Sequence, residues 1–229
     1  MIVTTSLGFN YDANVLPASE AGSVARVVAI YNQRMAEFIW NVAKLENNPL
    51  TFVDIQTLLG GVTIGGHKVK DVEQVTNLVD SSRKLLKLIR SGRFCLDKET
   101  LTLLNNIITR NETPEPGIFR DEGVHCIHQE NTEVSELNRI FMENFQLMLT
   151  MPPIEAAMIF FLFCMFQQFF SKGNQRTGFY MMNGWLMSNG FEPISIPAFR
   201  SQEFNEKIRR FYANKDATEM LAFLWSCKR

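Results

Sequence analysis

The spacing of apolar positions predicts a chain that is almost entirely helical. Between residues 21 and 45, apolar side chains recur at helical intervals, as at Val24, Val28, Tyr31 and Met35. Similar patterns, bounded by capping residues, glycines or prolines, predict the remaining helices. These are expected at 52–59, 69–91, 98–110, 135–149, 153–169, 174–189 and 202–213, with a last helix after Asp216.

One segment favours β structure instead. Residues Val124 to Ile127 follow the longest predicted loop, at 111–123, and are interpreted as half of a short hairpin. Residues 1–20 lack clear periodicity and are predicted to form an irregular arm. The sequence therefore predicts an all-α fold of about eight helices with one short β-hairpin, in a single domain over residues 21–229.

The composition of the chain limits the classes of protein to which it can belong. The longest apolar run, residues 156–166, is shorter than the roughly 18 residues that a membrane-spanning helix needs, so it predicts a core helix. The formal net charge of −1 and the lack of a Lys/Arg block argue against nucleic-acid binding. The cysteines have no CxxC spacing, and the first residues show no signal-peptide pattern. We expect a cytoplasmic protein that binds neither nucleic acid nor membrane.

A short polar loop lies between the two most apolar predicted helices. It spans residues 168–178 and contains Lys172, Gly173, Asn174 and Arg176. The free N–H groups at the start of the second helix, with a glycine that allows close approach, are typical of a site for a phosphate or carboxylate. A plain turn with solvated basic side chains explains the same spacing, so the pattern alone leaves both interpretations open.

Residues 168–179, QFFSKGNQRTGF, resemble the signature HPFxxGNGRxxR of the Fic/Doc (Fido) family. Three other segments resemble landmarks of that family in the same order. KLENNPLT at 44–51 is similar to the element IEGNxLT, PGIFR at 116–120 to the segment PGxxR, and 211–224 to the C-terminal end. The resemblance covers about residues 21–224 and implies the Fic fold with a β-hairpin flap.

The resemblance implies an activity and a site. Most Fic proteins, which are mostly bacterial, transfer AMP from ATP to a hydroxyl group of a target protein. In the family the motif histidine is the general base, an acidic residue holds Mg²⁺, and the Gly-Asn turn and first arginine hold phosphate. Gly173, Asn174 and Arg176 match this pattern and, with Lys172, are the predicted phosphate- or nucleotide-binding residues.

Other motif positions depart from the family. Gln168 replaces the histidine, and a carboxamide is not basic near neutral pH. Loss of a positioned base typically costs about 10²–10⁴-fold in rate. Lys172 replaces the carboxylate that holds Mg²⁺, a cation that prefers oxygen ligands. Phe179 replaces the second arginine, which contacts the outer phosphate, and Gln175 replaces a glycine.

Two functions follow from these departures. The first is a catalytically inactive Fic protein that acts by ligand or protein binding, with ATP or another phosphate ligand in a site without Mg²⁺. The alternative is an active nucleotidyl- or phosphoryl-group transferase of altered mechanism, in which Gln168 only orients a protein hydroxyl.

The element at residues 21–51 resembles an inhibitory helix of the family, with Glu46 and Asn47 as its regulatory residues. In the family its glutamate pairs with the second motif arginine, which Phe179 replaces here. Glu46 is therefore expected either to turn to Arg176 or Lys172, or to cap a solvated helix end.

The family's flap docks target proteins by β-strand pairing. The resemblance places this role on Gly123, Val124, His125, Cys126 and Ile127. A metal site built from His125, Cys126 and His128 is disfavoured, because adjacent strand residues point to opposite faces. We therefore expect a protein partner at the flap and no metal.

Overall fold

The described part of this computed structural model comprises residues 2–4, 6–16, 18–123 and 135–228, with residues 2–4 described by their backbone alone. Ten α-helices lie within these ranges, which confirms the all-α prediction. The helices are α1 (Val24–Gln33), α2 (Met35–Leu45), α3 (Phe52–Leu59), α4 (Val69–Arg90), α5 (Lys98–Ile108), α6 (Glu136–Leu149), α7 (Pro153–Gln167), α8 (Asn174–Ser188), α9 (Ser201–Asn214) and α10 (Thr218–Ser226).

Helices α7 and α8 form the centre of the molecule. Every residue of α7 from Ala156 to Met165 is buried, so this helix is covered on all sides. Helix α8 packs along α7, and α4 and α5 pack on α8. Gly178 permits the close packing, because a Cβ atom there would lie 3.1 Å from the Cβ of Cys164. The loop between α7 and α8 is thus held at the middle of the fold.

Several helix starts agree with the sequence. Thr51 and Asp54 form a capping box at α3, in which the Thr51 N–H donates to Asp54 over 2.8 Å. Asp97 accepts from the Thr100 N–H at the start of α5, and Ser135 caps α6. These caps satisfy backbone donors that the first helical turn leaves without a partner.

The N-terminal prediction was wrong in two respects. The single helix predicted over residues 21–45 is two helices, which meet at the non-helical Arg34. The arm predicted to be irregular contains β1 (Ile2–Thr4) and β2 (Asn10–Asp12), paired antiparallel with Val3 opposite Tyr11. Leu7 and Phe9, in the turn between the strands, and Tyr11, in β2, are buried.

The arm is attached to the helical core by specific contacts. The Phe9 ring packs edge-on against Phe166 and Phe211, on α7 and α9. The buried Tyr11 hydroxyl donates to Glu155 over 2.8 Å.

The predicted hairpin at 124–127 lies outside the described residues. None of the described helices combines the length and apolar character that a membrane crossing requires.

Candidate functional site

The loop between α7 and α8 is anchored by two phenylalanines. Phe169 is fully buried and stacks on Phe119 with ring centres 4.9 Å apart, and it also contacts the rings of Phe141 and Phe163. Phe170 is also buried and packs edge-on against Phe119. Because both rings point into the core, the polar residues on either side of them are presented at the surface of the loop.

Asn174 holds this loop closed. Its side-chain oxygen accepts from the Phe170 N–H over 2.9 Å, and its amide donates to the Phe170 carbonyl over 2.7 Å. The same amide donates to the Gln168 side-chain oxygen over 3.0 Å. The predicted ligand residue is therefore buried and used by the loop itself, which positions the start of α8.

Gln168 is exposed, but both ends of its carboxamide are engaged. Its amide donates to the Met165 carbonyl over 2.6 Å, while its oxygen accepts from Asn174. The residue ends α7 in a left-handed conformation, with φ of 51°. The Gln168 carbonyl accepts from Arg120 over 2.7 Å. The position of the family's base is thus filled by a fixed, uncharged group.

Gly173 has a packing role that the sequence did not reveal. Its φ is 76°, a conformation that favours glycine. A Cβ atom there would collide with the Thr109 side chain and lie 3.3 Å from the Asn105 amide. The Asn105 amide in turn donates to the Lys172 carbonyl over 3.0 Å. The glycine therefore lets the loop lie directly against α5, and the first N–H groups of α8 follow it without helical partners.

Arg176 is engaged by a carboxylate that sequence reasoning missed. The guanidinium group is 3% exposed, and both of its terminal nitrogens contact Glu112 at 2.6 Å. One of them also donates to the Ile108 carbonyl over 3.4 Å. This bidentate geometry is the strong form of an Arg–carboxylate pair. Glu112 lies in the predicted loop at 111–123, where no periodicity or motif marked it.

The sequence left open whether Glu46 turns to a basic residue of the motif loop or caps a solvated helix end, and the structure shows that it turns to Arg176. Its carboxylate lies at the end of α2 and faces Arg176, with 3.8 Å between the Glu46 oxygen and the Arg176 Nε. Burial raises the pKa of Glu46, the nearby Arg176 opposes that rise, and Glu112 adds to it. The neighbouring Asn47 is exposed in a left-handed conformation, with φ of 57°. Two carboxylates thus flank one guanidinium.

A cavity of about 440 Å³ opens beside this ion-pair cluster. Exposed Lys172 contributes to its wall from the motif loop. The lining includes a second lysine, four carboxylates and four carboxamides: Lys70, Glu46, Asp71, Glu73, Glu112, Asn47, Asn48, Gln74 and Asn111. The structure therefore brings Lys172, Glu46 and Asn47 to one cavity, with Arg176 buried behind Glu112.

The remaining predicted site residues belong to the flap. Gly123 is buried, and a Cβ atom there would collide with the Glu115 carboxylate. Val124, His125, Cys126 and Ile127 lie outside the described residues. Docking of a partner at the flap stays a prediction.

Replacing Glu46 with glutamine is expected to stabilise the fold near neutral pH, because the raised pKa reports a buried carboxylate that is costly to ionise. Below the ordinary glutamate pKa, Glu46 is protonated in both folded and unfolded chains, so that cost is absent. As pH rises from the ordinary glutamate pKa to the raised folded-state pKa, the unaltered protein loses stability relative to Glu46→Gln. Urea unfolding of both proteins at about pH 4 and pH 7 measures the difference between their free energies of unfolding. An equal difference at both pH values would contradict this assignment.

Comparisons with known proteins support the fold. Residues 95–186 match the model of the Fic/DOC family. No curated protein matches the sequence. Among solved structures, Fic-1 (residues 134–508) from C. elegans matches with a TM-score of 0.70 at 20% identity, covering 89% of this chain and 67% of that one.

Two bacterial structures show the same fold. A Fic-domain-containing signalling protein from Bacteroides thetaiotaomicron matches with a TM-score of 0.67 at 18% identity, covering 93% of this chain and 88% of that one. A Fic family protein from Desulfovibrio desulfuricans matches with a TM-score of 0.58 at 16% identity, covering 89% and 69%. This chain therefore carries a Fic/DOC family domain within the Fic fold.

Proposed function

We propose that this protein is a Fic protein that does not transfer AMP by the family's route and instead binds a phosphate-bearing ligand, such as a nucleotide, at the motif loop without a metal ion. The proposal rests on the chemistry and the hydrogen bonds of the Gln168 side chain. Its carboxamide has no basicity and is tied at both ends to Met165 and Asn174. A substrate hydroxyl placed there meets no group that can accept its proton.

The residues at the family's metal position do not suit Mg²⁺. Lys172 places an ammonium group where the family has a carboxylate, and Mg²⁺ requires oxygen ligands. Among the described residues, no three Asp, Glu, His or Cys side chains come together as a metal site. Metal-assisted chemistry on a bound nucleotide is therefore not part of the proposed function.

An anion at the start of α8 is supported by two features. The first N–H groups of α8 and the positive end of its dipole favour a phosphate. The exposed Lys172 ammonium lies on the same loop and supplies positive charge in place of a metal. Glu112 opposes binding, because it already occupies the Arg176 guanidinium. A phosphate ligand thus competes with Glu112 for Arg176.

Calorimetry with ADP in the presence of EDTA tests this proposal. We expect measurable binding that Lys172→Ala weakens by about 10- to 100-fold, since a charge-assisted hydrogen bond contributes about 1.5–3 kcal/mol. Glu112→Gln is expected to bind about tenfold more tightly, because Arg176 is then released. Lys87→Ala, an exposed lysine near the opposite end of α4 from the cavity, is the matched control. Absence of binding by ADP, ATP and inorganic phosphate would reject the proposed ligand class.

A further inference from the structure

A second cavity lies on the far side of α4 from the motif loop. We call it the α4 groove; its volume is about 510 Å³, and it is bounded by the α1–α2 junction, α3 and the C-terminal half of α4. Met35 and Leu86 form a buried apolar floor, while Arg83 and Arg90 stand exposed along one wall. The motif cavity contacts the other end of α4, at residues 70–74. The two sites are therefore separate.

The α4 groove is positively charged in a chain of net charge −1. Residues 81–96 contain five Lys or Arg residues and no Asp or Glu. No carboxylate lines the groove, and within the described residues neither Arg83 nor Arg90 forms a salt bridge. A groove with two uncompensated guanidinium groups attracts carboxylates or other anions.

The helix dipole explains the presence of only some of these basic residues. Cations in the last turn of a helix stabilise its carboxyl end, which explains Lys87 and Arg90. Arg83 lies about two turns earlier, beyond the reach of that effect. Its guanidinium donates to the Leu59 carbonyl over 3.3 Å, which holds it across the groove toward α3. Arg83 is thus placed by a contact to the groove wall.

The lining chemistry fits a peptide. The exposed carboxamides of Asn32, Gln33 and Gln56 line the groove and can pair with a peptide backbone, while the apolar floor accepts a side chain. Arg83 and Arg90 are seven residues apart on α4, which separates them by about 10 Å along the helix axis. That distance matches two carboxylates three residues apart on an extended segment of polyproline II conformation, in which such residues lie on one face about 9 Å apart.

We propose that the α4 groove docks an acidic, partly apolar peptide segment of a protein partner. The two arginines hold acidic side chains about three residues apart, and an apolar side chain between them enters the floor. A groove lined by four helices suits a single extended segment better than a flat membrane. Because its basic stretch is short and the chain's net charge is −1, it offers little to a long polyanion such as a nucleic acid.

Fluorescence anisotropy with a short labelled peptide tests this proposal. The probe carries two glutamates three positions apart with leucines between them, and its control has glutamines in their place. We expect the acidic peptide to bind at least tenfold more tightly than the control peptide. The Arg83→Gln, Arg90→Gln double variant should lose at least tenfold of that affinity, whereas Arg209→Gln, an exposed arginine on α9, should not.

Three results would overturn the proposal. They are no binding at millimolar peptide, equal binding of the two peptides, or unchanged affinity in the double variant. Vesicles with anionic lipid are a parallel arm: binding to vesicles but not to peptide, lost in the double variant, would assign the groove to a membrane surface. Because both arginines are exposed, circular dichroism is expected to show an unchanged fold in the double variant.

Discussion

Replacing Arg176 with methionine is expected to destabilise the fold by about 3–5 kcal/mol, because it leaves the largely buried Glu112 carboxylate without its partner. The guanidinium is 3% exposed and contacts Glu112 through two nitrogens at 2.6 Å, so the variant removes both hydrogen bonds. Urea unfolding of the variant and the unaltered chain measures the loss.

The matched control for this variant is Arg110→Met. Arg110 pairs with Asp80 at 3.3 Å, but both side chains are exposed, and such pairs contribute about 0–1 kcal/mol. Equal losses in the two variants would show that Arg176 is not held in a buried ion pair. Recovery of stability in an Arg176→Met, Glu112→Leu, Glu46→Gln triple variant is a further expected result, since it removes the charge of both carboxylates beside the guanidinium, and replacing all members of a buried ion pair is often neutral.

Replacing Phe169 with alanine is expected to cost about 3–5 kcal/mol, since a fully buried ring is lost from the core. The ring stacks on Phe119 and contacts Phe141 and Phe163, and it lies directly after Gln168. Thermal or urea unfolding measures the change. Phe199→Ala is the control, because that side chain is 84% exposed and its removal should change stability by less than about 0.5 kcal/mol. Similar effects at both positions would contradict the anchoring of the motif loop.

These two variants separate the structural from the chemical role of the loop. Phe169 anchors the loop in the core, whereas Arg176 joins α8 to the loop after α5. Gln168 and Lys172, on which the proposed function rests, are exposed. Changes at those two positions can therefore be tested for binding and activity without a large expected loss of stability.

Local signals in the sequence predicted most of the helices. Apolar runs, caps and glycine or proline boundaries mark α3 to α8, because these features act over a few neighbouring residues. The break at Arg34 has no such signal, since the apolar pattern continues through it without Gly or Pro. The strands of the arm had no clear sequence signal either, since each has three residues and the buried Leu7 and Phe9 lie in the turn between them.

The candidate site was predictable only in part. The motif predicted the position of the loop between α7 and α8, while the roles of its residues stay predictions. The partner of Arg176 was not predictable, because Glu112 reaches it by tertiary packing from a loop with no periodic pattern. The engagement of Asn174 within the loop was equally hidden, since one asparagine serves a ligand or a turn with the same side chain.

We propose that the motif loop of this protein does not transfer AMP. Incubating the full chain with tagged ATP and Mg²⁺, alone and with a cell lysate, and detecting AMP-modified protein tests it most directly. Gln168→Ala is the matched control, because it removes the carboxamide that stands in the position of the base. We predict that labelling by the unaltered chain equals that of Gln168→Ala. Labelling above that level, which the substitution abolishes, would contradict the claim.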